Sequence, residues 1–457
     1  MVMPDRVHPS AVFVSFSGHG GVERMVVNLI RGFAELGRQM DLVLVRAEGP
    51  HLQHLPRQVK RVHLGTRHTF AAVPALARYL RRHRPVALLA VKDRAGRAAV
   101  LARWLAGTDT RIVMRLGTNV STAMAERTAM ARRLRFWPIR RLYPRVDRIV
   151  AVSAGVAEDT ARIAGMARGR IQVIPNPVIT PELPGLAAAP CDHDWFQPGP
   201  PPVIVGAGRL QHQKDFPTLI HAFAQVRKRR PCRLVILGEG NGRARLQALI
   251  AALGIAADVD LPGFRTNPYP FLARADLFVL SSRWEGSPNV LTEAMALGTP
   301  VVATDCPSGP HELLDGGRYG PLVPVGDAQA MARAMAETLD HPPPSETLRT
   351  AVAEYTQAKS AERYLEVLEA GYYRSAGRAE RQAGVTAYRL PLTASPATSS
   401  HASPHSLPDP VSLSMLRYLH ATDRRYRSIS NFHGNHLLTC HTDRPLIGVP
   451  DFHGLFH

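Results

Sequence analysis

Twice along this chain, short apolar runs alternate with longer segments of helical period, and that repetition constrains the fold more than any single residue. Ala11–Ser15 reads as a first strand, a glycine turn follows, and the spacing then predicts a helix from about Val22 to Leu36. Leu42–Val45, Val86–Val91, Ile112–Arg115 and Ile149–Val152 continue the series as further strands. Alternation of this kind argues for parallel sheets with helices on both faces. The first series ends around Ile174–Val178, and a second begins at Val203 and runs to about His341. Between them, Pro181–Pro202 is rich in Pro, Ala and Gly and reads as a linker. The expected organisation is a first domain over 1–180, a linker over 181–202 and a second domain over 203–345. A helical segment over 346–377 and a low-order tail over 378–457 complete the chain.

Composition narrows the function classes. A length of 457 residues exceeds one ordinary core, and 45% hydrophobic residues suffice for two. No apolar run approaches the roughly 20 residues that a membrane helix needs. The start, Met1-Val2-Met3-Pro4-Asp5-Arg6, lacks the apolar centre of a signal peptide, so a cytoplasmic setting is expected. Cys191, Cys232, Cys306 and Cys440 lie far apart, without a CxxC pair, which speaks against a disulfide framework. The net charge of +19 sits almost wholly in residues 1–150, with 27 Lys or Arg against 9 Asp or Glu. It peaks from Arg132 to Tyr143, where Arg132, Arg133, Arg135, Arg140 and Arg141 interleave with Leu134, Phe136 and Trp137. That mixture suits peripheral contact with an anionic membrane at its inner face. No recognition motif accompanies the charge, so nucleic acid is not an expected partner.

The chemistry concentrates in Ser282-Arg283-Trp284-Glu285-Gly286-Ser287-Pro288-Asn289-Val290-Leu291-Thr292-Glu293. Leu277–Leu280 before it reads as a buried strand. Ser287 is placed to cap a following helix and Pro288 to occupy its first position, with Glu293 nearly two turns inside. Free amides at that helix start make an anion site, most simply for phosphate. Arg209 and Lys214, five residues apart after the strand Val203–Ala207, can point into one cleft. Ser17-Gly18-His19-Gly20-Gly21-Val22-Glu23-Arg24 is a second glycine turn, opening a helix, where backbone can approach a phosphate closely.

The Glu285–Glu293 spacing, with Gly286 and the helix after it, resembles the E-x7-E signature of retaining glycosyltransferases of the GT-B fold, specifically glycosyltransferase family 4 (glycosyl transferases group 1). Val203–Asp215, Val235–Gly240, Leu261–Phe264, Gly298–Thr304 and Ser308-Gly309-Pro310-His311-Glu312 surround it in the family's order. The resemblance covers roughly residues 8 to 370 and is densest over 200 to 326. It implies an α/β protein of two Rossmann-like doubly wound domains facing across a cleft. The first would be the acceptor side and the second would bind a nucleotide sugar, with the 346–377 helix crossing back to brace the first. By the same resemblance, Arg209 and Lys214 bind the donor's phosphates and Glu285 the hydroxyls of the transferred sugar. Glu293 would hold the ribose, and Gly286, Ser287, Pro288, Asn289 and Val290 would form the anion-binding turn. Gly263 and Phe264 would meet the nucleobase, taken as uracil, and Gly20 and Gly21 the diphosphate from across the cleft. The implied activity is metal-independent transfer of a hexosyl or N-acetylhexosaminyl group, with no cofactor, from a UDP-sugar to a glycan or lipid-linked glycan in surface polysaccharide or glycolipid assembly.

One departure stands out. Many relatives carry a first-domain histidine near the reaction centre, whereas the equivalent stretch here is Val113-Met114-Arg115-Leu116-Gly117-Thr118-Asn119. Arg115, Asn119 and the turn residue His19 are the remaining candidates to meet sugar or acceptor. Rival readings rest on less. Gly206-Ala207-Gly208 lacks the third glycine of a dinucleotide-binding turn, since Gln211 stands there. Asp192-His193-Asp194 and Asp258-Val259-Asp260 match D-x-D but fall in the linker and at a helix-to-strand junction. The same two-domain architecture would also suit a sugar-nucleotide epimerase or an inactive sugar-binding protein. In the tail, Cys440, His433, His436 and His441 have a zinc-compatible mixture, though a plain polar tail is the simpler expectation.

Overall fold

The computed structural model describes residues 10–18, 20–197, 199 and 201–370. The first lobe runs β1 (Ser10–Ser17), α1 (Gly21–Glu35), β2 (Met40–Glu48), β3 (Lys60–His63), α2 (Val73–His83), β4 (Ala87–Val91) and α3 (Asp93–Ala106). It continues through β5 (Arg111–Leu116), α4 (Val120–Ala123), α5 (Ala129–Leu142), β6 (Arg148–Ala151), α6 (Ala154–Ala164) and β7 (Ile171–Val173). All of its pairings are parallel, in the order β3-β2-β1-β4-β5-β6-β7.

After α7 (Leu183–Ala188), the second lobe runs β8 (Val203–Ala207), α8 (Phe216–Arg227), β9 (Arg233–Leu237), α9 (Arg243–Ala252), β10 (Val259–Gly263) and α10 (Tyr269–Arg274). Then come β11 (Leu277–Leu280), α11 (Asn289–Leu297), β12 (Val301–Thr304), α12 (Pro310–Leu313), β13 (Leu322–Val323) and α13 (Ala328–Asp340). Helices α14 (Ser345–Ala351) and α15 (Gln357–Glu369) follow. This sheet is also parallel, in the order β10-β9-β8-β11-β12-β13. Strands such as Ala87–Val91 and Val203–Ala207 are buried along their whole length because helices cover both sheet faces. The protein is therefore an α/β fold of two Rossmann-like doubly wound lobes.

In both sheets the chain reverses direction of travel beside the first strand, between β1 and β4 and between β8 and β11. Loops leaving the carboxyl ends of neighbouring strands diverge at such a point and leave a crevice. The glycine turn follows β1, the Arg209–Lys214 loop follows β8 and the Glu285 loop follows β11, so the topology delivers all three to crevices.

Three local expectations need correction. The stretch 181–202 is not a bare linker: Leu183 and Ala187 of α7, with Phe196, are buried in the second lobe's core beside Phe271 and Leu272. Apolar residues spaced four apart find a face on α10, which propensity alone does not reveal. The segment after 345 is two helices rather than one crossover. Leu348 of α14 stays in the second lobe's core, and only α15 reaches the first, burying Ala361, Tyr364, Leu365 and Leu368 there. Finally, α11 begins at Asn289 with Pro288 at its N-cap position and no side-chain cap, so Ser287 does not cap it. Glu293 is the fifth helical residue, a little over one turn inside. The tail residues Cys440, His433, His436 and His441 lie outside the described residues.

Candidate active site

The loops after β8 and β11 are sewn together by hydrogen bonds. Ser281 Oγ donates to the Lys214 carbonyl at 2.7 Å, Gln213 Nε2 to the Trp284 carbonyl at 2.9 Å, and the Arg283 amide to the Gln213 carbonyl at 2.8 Å. This stitching brings Lys214 Nζ to 2.6 Å from Glu285 Oε1, which also accepts from Ser282 Oγ at 2.7 Å. Glu285 is buried, not the exposed loop carboxylate its position before a helix suggests. Its charge is matched by the mostly buried Lys214 ammonium. The Cys306 thiol nearby is pushed up to about 12 by burial and then by the Glu285 charge. Arg209 stands apart: it is exposed and makes no side-chain hydrogen bond or ion pair among the described residues. Loop stitching therefore leaves one cation paired and one open to an incoming anion.

Glu293 projects from α11 toward the first lobe. Its Oε1 lies 3.2 Å from Arg24 Nη1 and accepts from Tyr269 Oη at 3.2 Å, and Arg24 Nη1 donates to Tyr269 Oη at 3.0 Å. Burial by itself would lower the Arg24 pKa, but Glu293 and Tyr269 outweigh it and hold the guanidinium above its ordinary range. Burial, reinforced by Glu293, pushes the Tyr269 phenol up. Sequence pattern alone singles out neither Arg24 nor Tyr269. Arg24 lies four residues past Gly20, and that proximity is the available signal; Tyr269 carries none.

At the start of α11, the Asn289 and Val290 amides donate to no acceptor among the described residues. The Asn289 side chain accepts from Asn176 Nδ2 at 2.8 Å, tying the turn to the segment that leaves the first lobe. Gly286 sits where the lobes touch. A Cβ there would lie 2.2 Å from the Gly117 carbonyl oxygen, so no side chain fits. Gly20 is the N-cap of α1 and Gly21 its first residue, beside the Asn289 side chain. Gly263 ends the edge strand β10 and Phe264 follows it, partly exposed. His19 lies outside the described residues.

Arg115 and Asn119, the candidates offered for the place of the missing histidine, are both buried and hydrogen-bonded within the protein. Arg115 is 3% exposed, and its Nη2 donates to Asn176 Oδ1 at 2.7 Å beneath Tyr364 of α15. Burial pushes its pKa down and Tyr364 opposes that shift. Asn119 caps α4 through Oδ1, which accepts from the Thr122 amide at 3.1 Å, and spends Nδ2 on Ser308 Oγ at 2.9 Å. Both side chains hold structure. The two D-x-D triplets do likewise: His193 Nε2 lies 3.0 Å from Asp260 Oδ2, and Arg227 Nε donates to Asp258 Oδ2 at 2.8 Å.

Two facing doubly wound lobes with a glutamate pair at the crevice of the second are the architecture of GT-B glycosyltransferases. Residues 19–181 match the glycosyltransferase family 4 model, and residues 201–341 match glycosyl transferases group 1. The chain belongs to glycosyltransferase family 4. It is 28% identical over 341 residues to an N-acetylgalactosamine-N,N'-diacetylbacillosaminyl-diphospho-undecaprenol 4-alpha-N-acetylgalactosaminyltransferase of Campylobacter jejuni, covering 72% of this chain and 89% of that one. It is 35% identical over 223 residues to the lipopolysaccharide core biosynthesis glycosyltransferase LpsE of Rhizobium meliloti, 49% of this chain and 62% of that protein. An uncharacterized glycosyltransferase of Methanocaldococcus jannaschii is 43% identical over 113 residues, 24% of this chain and 28% of its own length. The chain thus spans less than two thirds of the last two relatives. Among solved structures, Anabaena HepE in complex with UDP superposes with a TM-score of 0.61 at 20% identity, covering 79% of this chain and all of that one.

Proposed function

We propose that the protein transfers a hexosyl or N-acetylhexosaminyl group from a nucleotide diphosphate sugar, a UDP-sugar, to a hydroxyl of a lipid-linked glycan in surface polysaccharide assembly. The observation behind this reading is the convergence of Lys214, Glu285 and the unpaired α11 amides at one crevice, with Glu293 just inside the helix. The acceptor oxygen attacks the anomeric carbon while the bond to the diphosphate oxygen breaks. The hydroxyl proton ends on the departing diphosphate. Negative charge then grows on that leaving group; Lys214 and the Asn289 and Val290 amides are held donors for it, and Arg209, unpaired among the described residues, is open to it. Donors already in place need no reorganisation as the bond breaks. Glu293 suits the ribose hydroxyls and Glu285 those of the sugar. Attack on the face the nucleotide leaves retains the donor's anomeric configuration. Incubation with a panel of sugar nucleotides, read by nucleotide release and by the anomer of the product, tests this directly; inversion would rule the mechanism out.

With protein cations at the diphosphate, no metal is required by this mechanism. Chelator is expected to leave turnover unchanged, and a strict need for Mg²⁺ or Mn²⁺ would contradict it.

The lipid-linked acceptor draws support from the Campylobacter relative, which by its name acts on a diphospho-undecaprenol-linked sugar. It also draws on α5. Met130, Leu134 and Trp137 are 65%, 69% and 63% exposed at i, i+4 and i+7, so they share one helix face. Arg141 lies over the Trp137 ring, and Arg133 and Arg140 are exposed beside that stripe. Arg135 pins the helix to α3 through Asp93 at 2.8 Å. No helix among the described residues is long and apolar enough to cross a membrane. Peripheral binding to the inner face of the membrane is therefore the mode proposed. Sedimentation with anionic vesicles is expected to weaken as salt rises and to fall in Trp137→Ser. Binding indifferent to lipid charge would remove this part of the reading.

A further inference from the structure

The turn Ser308-Gly309-Pro310-His311-Glu312 belongs to the second lobe, where His311 Nδ1 lies 3.0 Å from Asp305 Oδ1, but its Ser308 and Glu312 side chains bond to the first lobe. Glu312 Oε2 accepts from the Ala154 amide at 2.7 Å, and Oε1 from the Gly155 amide at 2.8 Å. These are the first two amides of α6, which no residue of that helix can satisfy. Ser153 Oγ accepts from the third, Val156, at 3.3 Å. A full carboxylate at a helix start also meets the positive end of the helix dipole. Gly155 admits the turn: a Cβ there would lie 2.5 Å from Ser308 Oγ and 3.1 Å from Ser308 Cα. On its other side the turn touches the donor loop, with Gly309 packed against Pro288 Cδ and the Gly286 carbonyl.

We propose that Glu312 is a positioning residue that latches the two lobes together and, through Gly309, fixes the donor loop against the first lobe. The bond pattern stands on geometry alone, while its consequence for the donor rests on the proposed donor site. A carboxylate that binds two amides across the lobes favours the closed arrangement in which Arg24 reaches Glu293. Its loss shifts the population toward separated lobes and weakens any ligand that needs both. Glu312 itself touches none of the proposed donor residues, which separates it from the site machinery.

Amide hydrogen exchange on the full chain reads the latch without any ligand. In Glu312→Ala, exchange at Ala154 and Gly155 is expected to rise by roughly 10-fold or more, while the core strands β4 and β8 keep their protection. Glu312→Gln, which keeps one acceptor but no charge, is expected to fall between. UDP affinity, measured on the same proteins, is expected to drop by about 10-fold in Glu312→Ala. Unchanged exchange at 154–155 would overturn the latch, and faster exchange with unchanged UDP affinity would overturn its positioning role. A wild-type chain that binds no UDP would overturn the donor reading instead, and exchange would still decide the latch.

Discussion

Replacing Lys214 by alanine is expected to lower sugar transfer by on the order of 10²-fold or more, measured as nucleotide release at saturating donor. The ammonium lies 2.6 Å from Glu285 Oε1 in the crevice where the leaving diphosphate is proposed to form. The same change strands a buried carboxylate, so a loss of stability accompanies it, on the order of 3 kcal/mol for an unmatched buried charge. These two effects can be separated. In the double variant Lys214→Met, Glu285→Gln no buried charge is left unpaired, so much of the thermal stability should return. Transfer should not return, because the cation facing the diphosphate and the carboxylate proposed for the sugar hydroxyls are both missing. A double variant that regains wild-type turnover would show that Lys214 serves folding alone. Glu293→Ala is expected to cost a comparable factor through the nucleoside end of the donor. It also releases Arg24, so its donor KM should rise together with the fall in kcat. Wild-type rates in both single variants would mean that the donor site lies elsewhere.

The second large effect is expected from a single methyl group. In Gly286→Ala the new carbon would fall 2.2 Å from the Gly117 carbonyl oxygen, a backbone atom that has no rotamer to move out of the way. Relief requires the lobes to part or the donor loop to shift by about an ångström, and misplacement on that scale can cost about 10²-fold in rate. Both lobes keep their own cores, so far-ultraviolet circular dichroism should match the parent while kcat/KM falls. Parent-like kinetics would show that Gly286 and Gly117 do not meet during turnover.

Those two experiments probe features with very different visibility in the sequence. The loops bearing Lys214 and Glu285 are legible because each follows a short apolar run that could only be a buried strand. Glycine, proline and charge at fixed offsets then mark the turns. What those loops do to each other is hidden. Glu285 looks like an exposed carboxylate beside a helix start, and its burial against Lys214 and Ser282 comes from stitching between loops some 70 positions apart. The missing histidine invites Arg115 and Asn119 as substitutes on chemical type alone. That both are already bonded, to Asn176 and Ser308 distant in the chain, is not visible in the sequence. The stretch 181–202 reads as a linker because proline and alanine obscure a short amphipathic helix whose partner, α10, lies some 85 residues on.

The linear pattern of residues specifies the two parallel sheets, the place of the crevices and the residue types offered at each. Hydrophobic period and turn chemistry act over a few neighbouring residues, so they can be read along a line. Which charges are spent and which stay open is settled in three dimensions. Arg24 meets Glu293 across 269 positions, Glu312 meets the α6 amides across 157 and 158, and Arg209 is left unpaired among the described residues. Such pairings depend on how two lobes, each with its own core, face one another, and no local preference of the chain encodes that.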